Sequence, residues 1–145
     1  MKFLIKLIVV LFFAIMFFAN ANANEEHFIK AKQLFKNEKY EDSKFLFQRS
    51  IVFDPKHTES YLYLAKIFKI EKDEEKEIKN LNTVLLLESD NEEATYLLIE
   101  IELNRSNFSK VKELRNNLEL ICSKLCDNIT SINEKLNDIE AKNES

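Results

Sequence analysis

The chain has 145 residues and a formal net charge of −4, which suits one small acidic domain. It contains no glycine and a single proline. P-loops, dinucleotide-binding loops and the nucleophile elbow of hydrolases need glycine where the backbone turns sharply or approaches a ligand. The composition therefore excludes these three kinds of site. Tight hairpins also favour glycine, so we expect helices in preference to antiparallel strands.

The segment 1–23 has the pattern of an export signal. Two lysines open it, positions 7–18 form an unbroken apolar run, and alternating small residues follow. Cleavage is expected after Ala21 or Ala23, which predicts a periplasmic or secreted protein. The alternative is an uncleaved membrane anchor, because the apolar stretch counted from Phe3 almost reaches the ~20 residues of a membrane span.

Removal of this segment takes the net charge from −4 to −6, because Lys2 and Lys6 are lost. A protein that binds nucleic acid needs a basic face to meet the phosphates. We therefore expect no nucleic acid among the partners. Membrane contact is expected only through the N-terminal segment, if that segment is kept.

Beyond the signal, the sequence repeats with a 34-residue period. Ala31 recurs as Ala65, and apolar residues within each unit follow one another at steps of three and four. Such steps place side chains on one face of a helix. Polar stretches at positions 36–39 and 71–77 divide the apolar stripes of the first two units. Each unit is therefore predicted to be two helices joined by a short turn.

These units resemble tetratricopeptide repeats (TPRs). The resemblance is carried by motif positions in the first and second helices and by the proline that follows the second helix of the first unit. The matching residues are Tyr61, Leu64, Ala65 and Phe68 in the second unit, and Ala31, Leu34, Tyr40, Ser43, Phe47 and Pro55 in the first. The resemblance implies an all-α fold, a right-handed TPR-like solenoid of about three helix-turn-helix repeats with a C-terminal capping helix.

The implied boundaries are repeats at 24–57, 58–91 and 92–128, then a capping helix and polar tail at 129–145. Two features depart from the pattern. Glu77 stands where a small residue is expected, and the second helix of the third unit fits only with a one-residue slip through Leu114 and Leu118. The last helix is expected to bury one narrow stripe, because an end unit needs a polar outer face. That stripe is Ile129, Ile132, Leu136 and Ile139.

In the resembled family, the first helix of each repeat lines a concave groove that holds a peptide or a partner helix. Carried over to this sequence, the groove positions are Phe28, Lys32, Phe35, Lys36, Leu62, Lys66, Lys69, Tyr96, Glu100 and Leu103. Apolar side chains interleaved with lysines suit a partner segment that has both apolar anchors and acidic groups. The alternative is that Phe28 and Phe35 belong to the core and the lysines are only solvated.

Cys122 and Cys126 are the only cysteines and stand four positions apart. An even pair in an oxidising compartment predicts a disulfide. In a regular helix their Cβ atoms would lie ~5–6 Å apart, whereas a disulfide needs ~3.5–4.5 Å. Either the helix breaks between positions 121 and 128, or the thiols stay reduced. We expect the break, with a disulfide that joins the cap to the third repeat.

Thiol exchange and metal binding are the sharper alternatives for this pair. Redox cysteines usually have the C-x-x-C spacing beside a helix N-terminus. A zinc site takes four ligands, and His27 and His57 lie far from both cysteines in the sequence. We therefore expect neither a metal nor a cofactor.

The repeats, together with the missing catalytic motifs, predict a protein-protein interaction module or scaffold that is not an enzyme. Its partner is expected to be a protein or peptide of the cell envelope. Two other hypotheses stay open. One is a thiol-active or redox-responsive periplasmic protein that uses Cys122 and Cys126, and the other is a structural subunit of a cell-envelope complex.

Overall fold

The computed structural model describes residues 25–143, and the side chains of residues 25–138. The predicted signal segment and its cleavage positions lie outside this range, as does the side chain of Ile139. The described range consists of helices joined by short turns, and no strand occurs in it. The helices are α1 (residues 25–36), α2 (Tyr40–Phe53), α3 (Thr58–Glu71), α4 (Glu74–Leu87), α5 (Glu92–Asn104), α6 (Phe108–Ile121) and α7 (Asp127–Asn143). The predicted all-α, TPR-like class is confirmed.

The helix starts keep the repeat period of the sequence. The second helices of the three hairpins begin at Tyr40, Glu74 and Phe108, each one full period after the last. The backbone of α6 is therefore in register, and the predicted one-residue slip is wrong for the helix as a whole. One core position of α6 is shifted. The period that links buried Phe47 and Leu81 leads to Arg115, but the buried residue is its neighbour Leu114.

The turn inside each hairpin solves a problem that the glycine-free sequence poses. A left-handed residue follows the first helix in each case: Glu38, Lys72 and Ser106 have φ of 59°, 61° and 58°. This conformation costs a non-glycine residue roughly 1–2 kcal/mol. The cost is offset because the next residue donates its N–H to the carbonyl five positions earlier, as Asp73 does to Phe68 at 2.9 Å. That bond is the helix-ending Schellman motif, here built without glycine.

The chain divides into two compact units, and the boundary falls inside α3, between Ile67 and Phe68. The core of the first unit combines α1, α2 and the first part of α3. Its buried apolar residues are Phe28, Ala31, Phe47, Leu62, Leu64, Ala65 and Ile67. Ser43, at a small-residue motif position, is fully buried and donates its hydroxyl to the Ala31 carbonyl at 2.9 Å.

The second unit packs α4, α5, α6 and α7 around an aliphatic core. Its fully buried members include Leu81, Ile99, Val111 and Leu118. α7 contacts α6 and buries Ile132 and Leu136, two residues of the predicted capping stripe. α7 begins at Asp127, two residues before the predicted boundary at 129. None of the helices in the described range is both long and apolar enough to cross a membrane.

Candidate partner-binding surface

Tyr63 is the centre of an aromatic cluster in the first unit. Its ring stacks on Phe47 at a centroid distance of 4.9 Å and meets Phe35 edge-on at 5.2 Å. Phe28 lies 6.1 Å away on another side. Pairs at these distances stabilise a fold by about 0.5–1.5 kcal/mol beyond the area they bury. The cluster therefore holds α1, α2 and α3 together by ring contacts.

Two lysines extend over this cluster from α1 and α3. The Lys32 ammonium lies 5.1 Å from the Phe28 ring centroid and 5.7 Å from that of Tyr63. The Lys66 ammonium lies 4.9 Å from the Tyr63 centroid. A ring face attracts a cation through its quadrupole, so it positions both ammonium groups without adding a negative charge. An anionic group bound beside this ring would be attracted by both.

We call this the basic aromatic surface, defined by Lys32, Phe35, Lys36, Tyr63 and Lys66. The structure brings Lys32, Phe35 and Lys66 together around Tyr63, and it leaves Lys36 exposed on α1.

Phe28 and Leu62, two other predicted groove residues, are buried. Their side chains therefore belong to the core, which was the stated alternative for Phe28. The sequence predicted Leu62 as a groove residue because it lies one repeat period after Phe28. The residue that lies in the aromatic cluster is its neighbour Tyr63. A shift of one residue turns a helical side chain by about 100°. A core residue thus took the place of its less buried neighbour.

The remaining groove positions lie in the second unit and have a different character. Lys69 donates to Glu100 at 2.7 Å in an ion pair. Tyr96 is hydrogen-bonded to the same carboxylate, and burial, followed by the negative charge of Glu100, raises the pKa of its hydroxyl. Leu103 is half-buried. We call Lys69, Tyr96, Glu100 and Leu103 the paired surface, because the charge of Lys69 is matched there by a carboxylate.

Glu77, the residue that departs from the repeat pattern, is buried in the second unit with an exposed fraction of 5%. Its Oε1 has no hydrogen-bond partner among the described residues. Burial raises the pKa of this carboxyl, the charge of Lys69 opposes the rise, and Glu74 and Glu100 add to it. The equivalent residues one repeat earlier and one repeat later are Ser43 and Val111, so the position suits a small or apolar side chain.

The connection between α6 and α7 carries the two cysteines. α6 ends at Ile121 and α7 begins at Asp127, so the helix breaks where the spacing required. Cys122 and Cys126 form a disulfide across this gap, with Cα atoms 5.3 Å apart.

The carboxylate of Glu92, at the start of α5, accepts hydrogen bonds from the segment between α6 and α7. One carboxylate oxygen accepts the N–H and hydroxyl of Ser123 at 2.8 and 2.6 Å. The other accepts the N–H groups of Lys124 and Leu125, both at 2.9 Å. These bonds, with the Ser123 hydroxyl contributing most, lower the pKa of Glu92 to about 2. Glu92 could not be identified from the sequence, because its partners lie 31 to 33 residues away in an irregular segment.

The histidines have structural contacts. His57 precedes α3, and its Nδ1 accepts the Ser60 N–H at 3.3 Å while the ring packs edge-on against Phe28 at 4.5 Å. The His27 ring stacks on Phe53 at 6.1 Å. Within the described range, no group of three or more His, Cys, Asp or Glu residues is arranged to hold a metal ion.

No family model matches the sequence, and no curated protein is similar enough to count as a relative. Solved structures are similar in fold. The Yersinia enterocolitica type III secretion chaperone SycD, in complex with a peptide of the translocator YopD, matches with a TM-score of 0.72 and 15% identity over 84% of this chain and 95% of SycD.

Two further structures are similar to nearly the same extent. PcrH, in complex with the chaperone-binding region of PopD, has a TM-score of 0.70 and 11% identity, covering 85% of this chain and 95% of PcrH. The Sgt2 TPR domain from Aspergillus fumigatus has a TM-score of 0.69 and 11% identity, covering 85% of this chain and 83% of that domain. At these identities the likeness shows a TPR-like helical-repeat fold.

Proposed function

We propose that this protein is a non-catalytic binding module that holds a segment of another protein on its basic aromatic surface. The observation that carries the proposal is the placement of the Lys32 and Lys66 ammonium groups beside the Tyr63 ring. A partner carboxylate between them would form two charge-assisted hydrogen bonds, which are the strong kind. Phe35, half-buried at the edge of the cluster, would contact an apolar side chain of the same segment.

The similar structures support a protein partner. SycD and PcrH were each solved with a segment of another protein, from YopD and PopD respectively. Helical-repeat proteins offer extended faces, and faces of this kind suit peptides and helices. The partner we propose is therefore a protein segment with an apolar anchor and one or more acidic residues.

We further propose that binding takes place outside the cytoplasm, after cleavage at Ala21 or Ala23. The disulfide between Cys122 and Cys126 supports this, because such bonds persist in oxidising compartments. The intact mass of the protein recovered from the cell envelope would give the cleavage position directly. A full-length chain retained in the cytoplasm would contradict the export proposal and leave the binding surface to be judged on its own.

In-cell crosslinking with affinity capture would identify the partner and also compare the two rival hypotheses. A single stoichiometric partner without mixed disulfides supports the binding module. Mixed disulfides through Cys122 or Cys126 would favour thiol chemistry instead. Co-purification only as part of a larger assembly, with an unstable isolated chain, would favour a structural subunit.

The binding surface is tested with the captured partner by replacing Lys32 and Lys66 with glutamate. We expect affinity to fall by about tenfold or more, because each charge-assisted contact is worth roughly 1.5–3 kcal/mol. Lys79→Glu is the matched control, since Lys79 is an exposed lysine on the second helix of its hairpin. Wild-type affinity should also weaken with salt. An unchanged affinity in a folded double variant would refute the basic aromatic surface.

A further inference from the structure

The outer side of the first hairpin carries an apolar surface that the proposed function does not use. We call it the leading face: Ile29 on α1 with Phe45, Val52 and Phe53 on α2, all exposed. Phe45 lines a shallow depression of about 330 Å³ with Val52 and Phe53, and a second of about 280 Å³ with Lys30. Lys30 and Ile29 line a third depression on α1. The four apolar side chains therefore belong to one continuous surface.

The leading face is large enough to form the centre of an interface. Aromatic side chains have roughly 150–250 Å² each and the aliphatic ones somewhat less, so at exposed fractions of 45–79% the four expose on the order of 400 Å² together. That is about half of the ~800 Å² that each partner buries in a standard interface. A patch of this size is as large as the largest apolar patch of a typical monomer, and such patches are often functional.

The repeat itself indicates what such a face is built to contact. Tyr63 is the repeat equivalent of Ile29, and its ring packs against Phe35 and Phe47 of the preceding hairpin. At this position of the first helix, the preceding hairpin thus covers the side chain. Before α1, the described residues contain no further hairpin, so among them no hairpin covers Ile29 in this way.

The last hairpin is closed differently. α7 buries Ile132 and Leu136 on its inner side, while Glu134, Lys135 and Asp138 are exposed on its outer side. A polar end of this kind prevents further stacking. Head-to-tail assembly, in which the leading face of one copy meets the last hairpin of another, would have to displace α7.

The charges around the leading face favour contact between two identical copies. Lys30 and Arg49 lie beside Glu25, Glu26 and Asp42 along the three depressions. In a two-fold pair, the same patch meets itself and each charge faces a residue of the other copy. A patch with both signs can therefore match itself, although the whole chain is acidic. We propose that the leading face is the interface of a homodimer.

The test is the molar mass of the protein across a wide range of concentration, by light scattering or sedimentation. Val52→Glu should weaken dimerisation by about tenfold or more, since a charge would be buried without a partner. The matched control is Leu86→Glu, at the same position of the next repeat and similarly exposed, at 85% against 79% for Val52. Phe45→Lys is a second variant on the leading face. Helical content confirms that each variant is folded.

A concentration-dependent dimer that Val52→Glu and Phe45→Lys dissociate, and that Leu86→Glu leaves intact, would establish the interface. A wild-type monomer at all concentrations would overturn it, as would equal effects of Val52→Glu and Leu86→Glu. Loss of a different protein partner in the Val52 variant of a monomeric chain would also overturn it. The Lys32 and Lys66 variants should still dimerise, so this proposal and the proposed function can fail separately.

Discussion

The two compact units are built from the same kind of repeat, but different interactions join the helices inside each unit. In the unit that ends at Ile67, aromatic rings around Tyr63 join the helices. In the unit that begins at Phe68, polar bonds join residues that lie 31 positions apart in the sequence. These bonds are Lys69 to Glu100, Glu74 to Arg105, and Glu92 to Ser123.

This difference decides what each unit can offer a partner. In the first unit, the Lys32 and Lys66 ammonium groups lie 5.7 and 4.9 Å from the centroid of one ring, that of Tyr63. In the second unit, the charge of Lys69 is compensated by Glu100 at 2.7 Å. Lysines of the expected groove face therefore differ in their surroundings: Lys66 lies over the Tyr63 ring, whereas Lys69, in the same helix, pairs with a carboxylate.

The largest expected effect comes from breaking the aromatic cluster. Phe47 is fully buried and stacks on Tyr63, so Phe47→Ala should lower the free energy of unfolding by about 3–5 kcal/mol. Leu86→Ala is the control, because an exposed side chain contributes within about 0.5 kcal/mol. Urea denaturation measures both. A Phe47 variant as stable as the control would show that the rings do not hold the first unit together.

A smaller effect, of opposite sign, is expected from Glu77. Glu77→Gln replaces a buried carboxylate, whose Oε1 has no partner among the described residues, with a neutral amide. It should stabilise the protein at neutral pH, because burying a charge costs more than burying an amide. The raised pKa means that the folded protein holds this proton more tightly than the unfolded chain. Wild-type stability should therefore fall as pH rises above the ordinary value of 4.5.

The glutamine variant should lack this decrease, because an amide does not titrate. Denaturation at a series of pH values from acidic to neutral would show the two curves converging at low pH. Val111, the equivalent residue one repeat later, supplies a second comparison: Glu77→Val should also lose the pH dependence. Parallel curves for wild type and Glu77→Gln would mean that the carboxyl finds compensation inside the fold.

The fold was predictable from the sequence because the repeat period fixes where each helix begins. Tyr40, Glu74 and Phe108 open equivalent helices although their side chains differ. Periodicity is less able to decide which of two adjacent residues is buried. Leu62, predicted to face the groove, is buried, and the slip predicted for both Leu114 and Leu118 holds only at Leu114, since Leu118 is in register with Val84. Both errors of one position arise because neighbouring helical residues differ by about 100° in direction.

The polar bonds of the second unit were beyond sequence analysis for another reason. Lys69 and Glu100 were both placed on the groove face, but their pairing depends on the distance between two helices. Glu92 binds N–H groups whose direction is set by the irregular segment after α6. The sequence predicted a break between α6 and α7 and a disulfide there. It did not predict that the Glu92 carboxylate would bind the N–H groups of that segment.

The smallest expected effect concerns this carboxylate. Glu92→Ala removes the acceptor of four hydrogen bonds, so hydrogen exchange should accelerate in the segment after α6 and at the start of α7, with little change in the first unit. Asp90→Ala, an exposed acid nearby, is the control. The lowered pKa gives this interaction an acid limit: its stabilisation is complete above pH 4.5 and is lost as pH falls towards about 2.

Acid weakens the stabilisation by Glu92, whereas it relieves the destabilisation by Glu77. The pH dependence of stability therefore distinguishes the contributions of these two residues of the second unit. Between neutral pH and pH 4.5, wild type should gain stability through Glu77, and below pH 4.5 it should lose stability through Glu92. Glu92→Ala should retain the gain and lose the additional acid sensitivity of the segment after α6. If that segment exchanges at the same rate in wild type and Glu92→Ala at neutral pH, the disulfide alone fixes it and the carboxylate is dispensable.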